Sequence, residues 1–174
     1  MPEFMTDTGQ FLDGSMPQAW ALWALSNIPG FPPIIQSVHI LGIAVVMGSI
    51  VMLDLRILGL AVPSQQLPEM ARRVMPWLWC ALASNLFSGS FFVFARPLRY
   101  FNNPIFGWKA SFLLSAILVT VLIHWWSRQQ DFVNANGAAA LKVKAAALLS
   151  LGLWIMVAMA GRWIAYAEYI YFPA

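Results

Sequence analysis

An ionisable side chain inside a long apolar stretch is costly in lipid and marks either chemistry or pairing. Few residues here qualify: His39, His124, Arg162, Glu168 near the C-terminus, and the uncharged Asn85. A neutral imidazole can hold a metal or haem iron, a thioether can supply a sixth ligand, and guanidinium groups can pair with haem propionates. Spacing decides which of them can cooperate. His39 lies fifteen residues before Asp54, ~22 Å of helix, whereas His124 lies four before Arg128, ~6 Å. The two histidines therefore belong to opposite leaflets, about 16 Å apart in depth, and cannot share one metal or one bis-histidine haem within a chain.

Met159 lies fifteen residues after Lys144, at the depth of His39, and Arg162 is about one turn farther out. Arg96, Arg99 and Lys109 reach the same layer. This set has the chemistry of a b-type haem pocket. His39 would hold the iron and Arg99 and Arg162 would pair with the propionates. Met159, a water, an open position or a histidine of a neighbouring subunit would stand opposite. Gly42, on the face of His39, is expected to leave room for the flat macrocycle.

The residues also admit plainer roles. His39 can be a neutral core histidine bonded to Ser84, Ser88 or Asn85. His124, followed by Trp125 and Trp126, reads as an interfacial residue or as a second metal ligand. Arg162, followed by Trp163 and Tyr166, can snorkel to the headgroups. Asp54 and Arg56 are expected to end the first helix at the interface, with Arg56 an anchor for anionic lipid, and Asn85 to act as interhelical glue. The nine methionines form no repeated stripe, so only Met159 is read as a ligand.

These positions need elements that hold them. Of 174 residues, 60% are hydrophobic and 10% charged, too little polar surface to cover a soluble domain. Four stretches, at about 34–53, 75–94, 108–126 and 145–166, are long enough to cross a bilayer core of roughly 30 Å. Lipid leaves no unpaired backbone group, and no period-2 pattern is present, so each stretch is expected to be a helix. Short connections, with Ser84/Ser88 and Ser111/Ser115 four apart, predict an all-α membrane protein built as an antiparallel four-helix bundle. A short interfacial amphipathic helix over 15–27, capped by Ser15 and anchored by Trp20 and Trp23, is expected to precede it. The chain then divides into an N-terminal segment, 1–32, and the membrane domain, 33–174. The opening MPEFM reads as a cloning remnant, and no signal peptide is recognisable.

Charge and composition set further bounds. The net charge of +3 is scattered over loops, which argues against nucleic acid as a partner. Arg56, Arg72 and Arg73 flank one loop and Arg128, Lys142 and Lys144 another, while Glu3, Asp7 and Asp13 precede the first span without a basic residue. The positive-inside rule then favours both termini outside, with Arg96, Arg99 and Lys109 in the second loop weighing the other way. Cys80 is the lone cysteine and reads as an inert buried thiol. No activated serine or cysteine and no carboxylate pair within a span suggests a hydrolase.

The order HILG at 39–42, DLRILG at 54–59, RYFNNPIFGWK at 99–109, LIHWWSR at 122–128 and GRWIAY at 161–166 resembles a bacterial family of uncharacterised four-span inner-membrane proteins. The first span is more loosely similar to the membrane domain of D-type copper-resistance proteins, and the whole more loosely still to b-type cytochromes. The resemblance implies that His39, Gly42, Asp54, Arg56, Lys109, His124 and Arg162 are motif positions, and it implies no settled activity. The chain departs from two-haem bundles in having two histidines where four are needed.

The expectation is a haem-b-binding inner-membrane electron carrier rather than a stand-alone enzyme, with lipid, a quinone or other redox partner and a second copy of itself as partners. A copper transport or channel protein, with His39 and His124 as metal ligands, and a non-catalytic membrane scaffold are the alternatives.

Overall fold

The computed structural model describes residues 3–62, 64–128 and 138–167, the side chains of the last segment from residue 141 on. Glu168 lies outside the described residues. The helices are α1 (Glu3–Leu12), α2 (Met16–Asn27), α3 (Phe31–Leu58), α4 (Leu67–Ala95), α5 (Pro97–Phe101), α6 (Pro104–Trp126) and α7 (Ala138–Trp163), the last running into a 3-10 turn at Ile164–Tyr166. The described chain is entirely helical between its turns, and α3, α4, α6 and the 141–166 part of α7 are each long and apolar enough to span a membrane.

Backbone chemistry sets where each span starts and stops. Gly30 takes a left-handed φ of 74° before α3, whose first turn holds prolines that lack an N–H to leave unpaired. At the other end Gly59, φ 79°, turns the chain back, and the Leu60 amide bonds the Leu55 carbonyl at 2.9 Å in the manner of a Schellman cap. Asn103 caps α6 by accepting from the Ile105 amide at 3.0 Å, and its Nδ2 donates to the Ile164 carbonyl at 3.2 Å. One buried side chain thus starts α6 and ties it to the end of α7.

The packing is pairwise. α3 lies along α4 and α6 along α7, and α3 against α7 joins the two pairs. The central core contains Val46, Ile50, Leu53, Leu78, Ala116, Ile123 and Trp154. A smaller cluster of Ile105, Ala160 and Ile164, with Tyr100 and Phe106 against it, closes the end where α5 lies. Leu86, Leu114, Leu118 and Leu148 face outward, as spans surrounded by lipid require.

Several expected boundaries move. The first span reaches from 31 to 58, not 34 to 53: Asp54 and Arg56 do not end it, because the stop is supplied by Gly59. The second span starts at Leu67, not at 75, carries Pro76 inside it and leaves Cys80 exposed rather than buried. Helix α2 matches the expected 15–27 segment. It packs Ala21 and Ala24 inward and leaves Trp20 and Trp23 outward, yet Ser15 offers no side-chain cap, its hydroxyl donating instead to Leu12 O. The first residues are not without a place in the fold, since α1 packs on α5 and Gly9 meets Phe101 where any side chain would collide.

Candidate functional site

The side chain of His39 is half-buried between α3 and α4. Its Nδ1 lies 2.8 Å from Ser88 Oγ, and that hydroxyl donates to the Ser84 carbonyl at 2.7 Å. Ser88 has one proton and spends it on Ser84, so its oxygen accepts from His39 Nδ1–H. In the neutral imidazole the lone pair then rests on Nε2. Ser88 is completely buried, so the bond is shielded from water or headgroups. A Cβ added at Gly89 would come within 3.2 Å of the ring at Cε1, so glycine there gives the imidazole its place.

Asn85, one turn before Ser88 and Gly89, contacts α3 at Gly42. Its amide nitrogen donates to the His39 carbonyl at 2.9 Å and its oxygen accepts from the Ile43 amide at 3.1 Å, the orientation that satisfies both. Those two groups are the ones an undisturbed helix links to each other. The amide sits so close that a Cβ at Gly42 would collide with it. The expected slot for a macrocycle beside Gly42 is therefore filled by Asn85; the glycine serves helix contact.

Lys109 of α6 reaches this level from the other pair of helices. A Cβ at Gly161 of α7 would lie 3.6 Å from both its Cε and its Nζ, and its charge is near enough to act on the His39 imidazole. His39, Ser88, Lys109 and Gly161 thus bring α3, α4, α6 and α7 together in one layer.

Other expected members stand apart. Met159 is 41% exposed, the inward side of α7 at that level being held by Ala160, so its sulfur faces out rather than toward His39. Arg162 is exposed and engaged within its own helix end: Nη2 donates to Tyr166 Oη at 3.0 Å and the guanidinium lies 5.2 Å over that ring. Arg99 is exposed on α5. Tyr100, beside it and half-buried, has its hydroxyl pKa raised by burial, against the opposing pull of Arg99 and Arg96. Arg56 is not free for lipid in the way expected, because its Nε donates to Gln65 O at 2.7 Å and staples the following loop.

The far end of the bundle holds polar groups that sequence reasoning assigned to the interface. Asp54 is 1% exposed, with neither carboxylate oxygen hydrogen-bonded. Its burial continues the stripe Gly42, Val46, Ile50 and Leu53, a helical period that was the available signal. Nearby in the fold, Trp154 Nε1 donates to Thr120 Oγ1 at 3.0 Å, joining α7 to α6. His124 stands one turn beyond Thr120, confirming that the two histidines lie toward opposite ends of the bundle. Among the described residues no cluster of three or more His, Cys, Asp or Glu could hold a metal.

A cavity of about 490 Å³ lies between α2 and α4, walled by Trp20, Trp23, Phe31, Phe87, Phe91 and Phe94 among others. It is almost wholly apolar.

Residues 30–167 match the model of a family of unknown function, DUF6644, and the chain belongs to that family. No curated protein and no solved structure matches it.

Proposed function

We propose that this member of a family without an assigned activity is a haem-b-binding redox protein of the inner membrane, with His39 as the residue that would hold the iron through Nε2. The observation that carries the reading is the Ser88 relay. Metal-bound histidines are characteristically held by a hydrogen bond on the nitrogen that does not bind the metal, and here Ser88 fixes the tautomer with Nε2 as the basic nitrogen. Bound haem would supply a one-electron couple.

The fit is to one axial ligand. Lys109 is the cation in the same layer of the interior and would take a propionate, in place of the exposed Arg99 and Arg162. Met159 faces out and would not help to hold the group, so a second holding residue would be a histidine of a second copy of the chain. A quinone would find the aromatic cavity against α4, on the neighbouring face of the helix that carries Ser88. The distribution of Lys and Arg supports a reading with both termini on the outer side.

The absorption spectrum of protein purified from cells with ample haem, before and after dithionite, tests the reading. A Soret band that disappears in His39→Ala and survives in His124→Ala is expected. A colourless protein overturns it. The buried Ser88–His39 bond also favours a scaffold role for the cluster, in which case the same variants change thermal stability and no chromophore is present.

A further inference from the structure

Toward the end of the bundle where α4 begins, three helices present polar atoms that are buried and unpartnered: both oxygens of Asp54 on α3, Oγ of Ser150 on α7 and Nδ1 of His124 on α6. Helix register brings them to one layer. The Thr120–Trp154 bond fixes α6 against α7. One turn onward along α6 is His124, on the face of Thr120, and one turn back along antiparallel α7 is Ser150, on the face of Trp154. Ser150 and His124 therefore share a level on facing helices, and Asp54 stands buried on α3, which packs against α7, with no hydrogen bond among the three. Asp54 and Ser150 are both essentially closed to the surroundings, at 1% and 0% exposure.

A carboxylate in such a place needs a counter-charge or a proton. The cations nearby are directed elsewhere. Arg56 of α3 is turned to Gln65, Arg73 of α4 pairs with Glu69, and Arg72 of α4 and Lys144 of α7 are exposed. Among the described residues none forms an ion pair with Asp54. On α6 the titratable group at this layer is His124.

We propose that Asp54, Ser150 and His124 form a proton-binding site, with Asp54 as the carrier. On taking a proton the Asp54 carboxyl would turn its O–H to Ser150 Oγ, a buried hydroxyl that has no partner in the resting arrangement. Release moves that proton to Ser150 Oγ while the hydroxyl proton of Ser150 passes to His124 Nδ1, leaving a carboxylate and an imidazolium, so the charge of the site as a whole is unchanged. The imidazolium then gives up a proton at the membrane surface, at the end where His124 stands near Arg128, and uptake by the reverse path restores the carboxyl. This site is independent of haem at His39 and is tested without it.

Infrared difference spectra of the full chain in liposomes, over a pH series in buffer free of sodium, read the carboxyl directly. Wild type minus Asp54→Asn is expected to show a carboxylic-acid C=O band at neutral pH, sensitive to deuterium exchange. Ser150→Ala is expected to move it to higher frequency, as loss of a hydrogen-bond partner requires, and this variant keeps the test available if Asp54→Asn does not fold. His124→Asn is expected to retain the band and slow its exchange. Absence of the band, or an unchanged frequency in Ser150→Ala, overturns the proposal. Loss of the band on adding sodium overturns it in favour of a metal-cation site.

Discussion

Gly42 and Asn85 are the pair at which one atom matters most. An alanine methyl at 42 meets the Asn85 amide, and the amide cannot retreat without giving up its bonds to His39 O and Ile43 N. Gly42→Ala is expected to cost about 1–3 kcal/mol, as overpacking does. The double variant Gly42→Ala/Asn85→Ala should be less destabilised than the sum of the singles, read from thermal midpoints in detergent as a double-mutant cycle. Ser88 makes a different prediction. Ser88→Ala removes the acceptor for Nδ1–H and frees the imidazole to change tautomer. By the measure of other outer-shell partners, haem affinity in a titration should fall roughly 10–100-fold, while Ser88→Thr retains the hydroxyl and most of the affinity. The partner set of His39 was legible in the sequence, since Ser84, Asn85 and Ser88 lie on the facing span at His39's depth. The role of Gly42 was not, because spacing tells which face a glycine occupies and not what fills the space above it.

At the scale of elements, α6 and α7 are joined at two heights by side chains that act on backbone or on each other. Thr120→Val leaves the buried Trp154 N–H without its acceptor, which is expected to cost about 1–3 kcal/mol. Thr120→Ser should be close to neutral, and both are read from the same unfolding midpoints. Asn103→Ala loses the α6 cap, worth about 1 kcal/mol, together with the bond to Ile164 O, so trypsin should cut near the α5–α6 junction faster than in the wild type. The four long helices could be read from hydropathy because lipid allows so few alternatives. Their ends could not be read equally well. Asp54 and Arg56 look like a boundary because charges usually mark the interface, yet the chain turns only at Gly59, which alone gives the left-handed cap at no steric cost. The packing of α1 was hidden for another reason: it rests on Gly9 fitting against Phe101 of α5 and Met5 against Gly107 of α6, residues about a hundred positions away.

For the whole molecule, the outward apolar faces and the basic loops make a statement about topology. A reporter fused after residue 174 is expected to be active only when it folds outside the cytoplasm, whereas one inserted in the 59–66 loop should be active inside. The opposite pattern would invert the orientation without altering the bundle. A second copy is expected if a histidine from another chain completes the His39 site, and cross-linking in native membranes should then give a dimer whose haem content falls when half the copies carry His39→Ala.

Asn85 has a mechanical consequence. By bonding both a carbonyl and an amide of α3, it ties α4 to the backbone of that helix at two points, so α3 and α4 cannot slide past each other without opening those bonds. The Thr120–Trp154 bond and Asn103 fasten α6 to α7 in the same spirit. The contact of α3 with α7 is then what joins two pairs that are each bonded across. Asp54 and Ser150 stand buried on the two helices of that contact, so under the proposal above a shift of one pair on the other would change the reach between a proton donor and its acceptor.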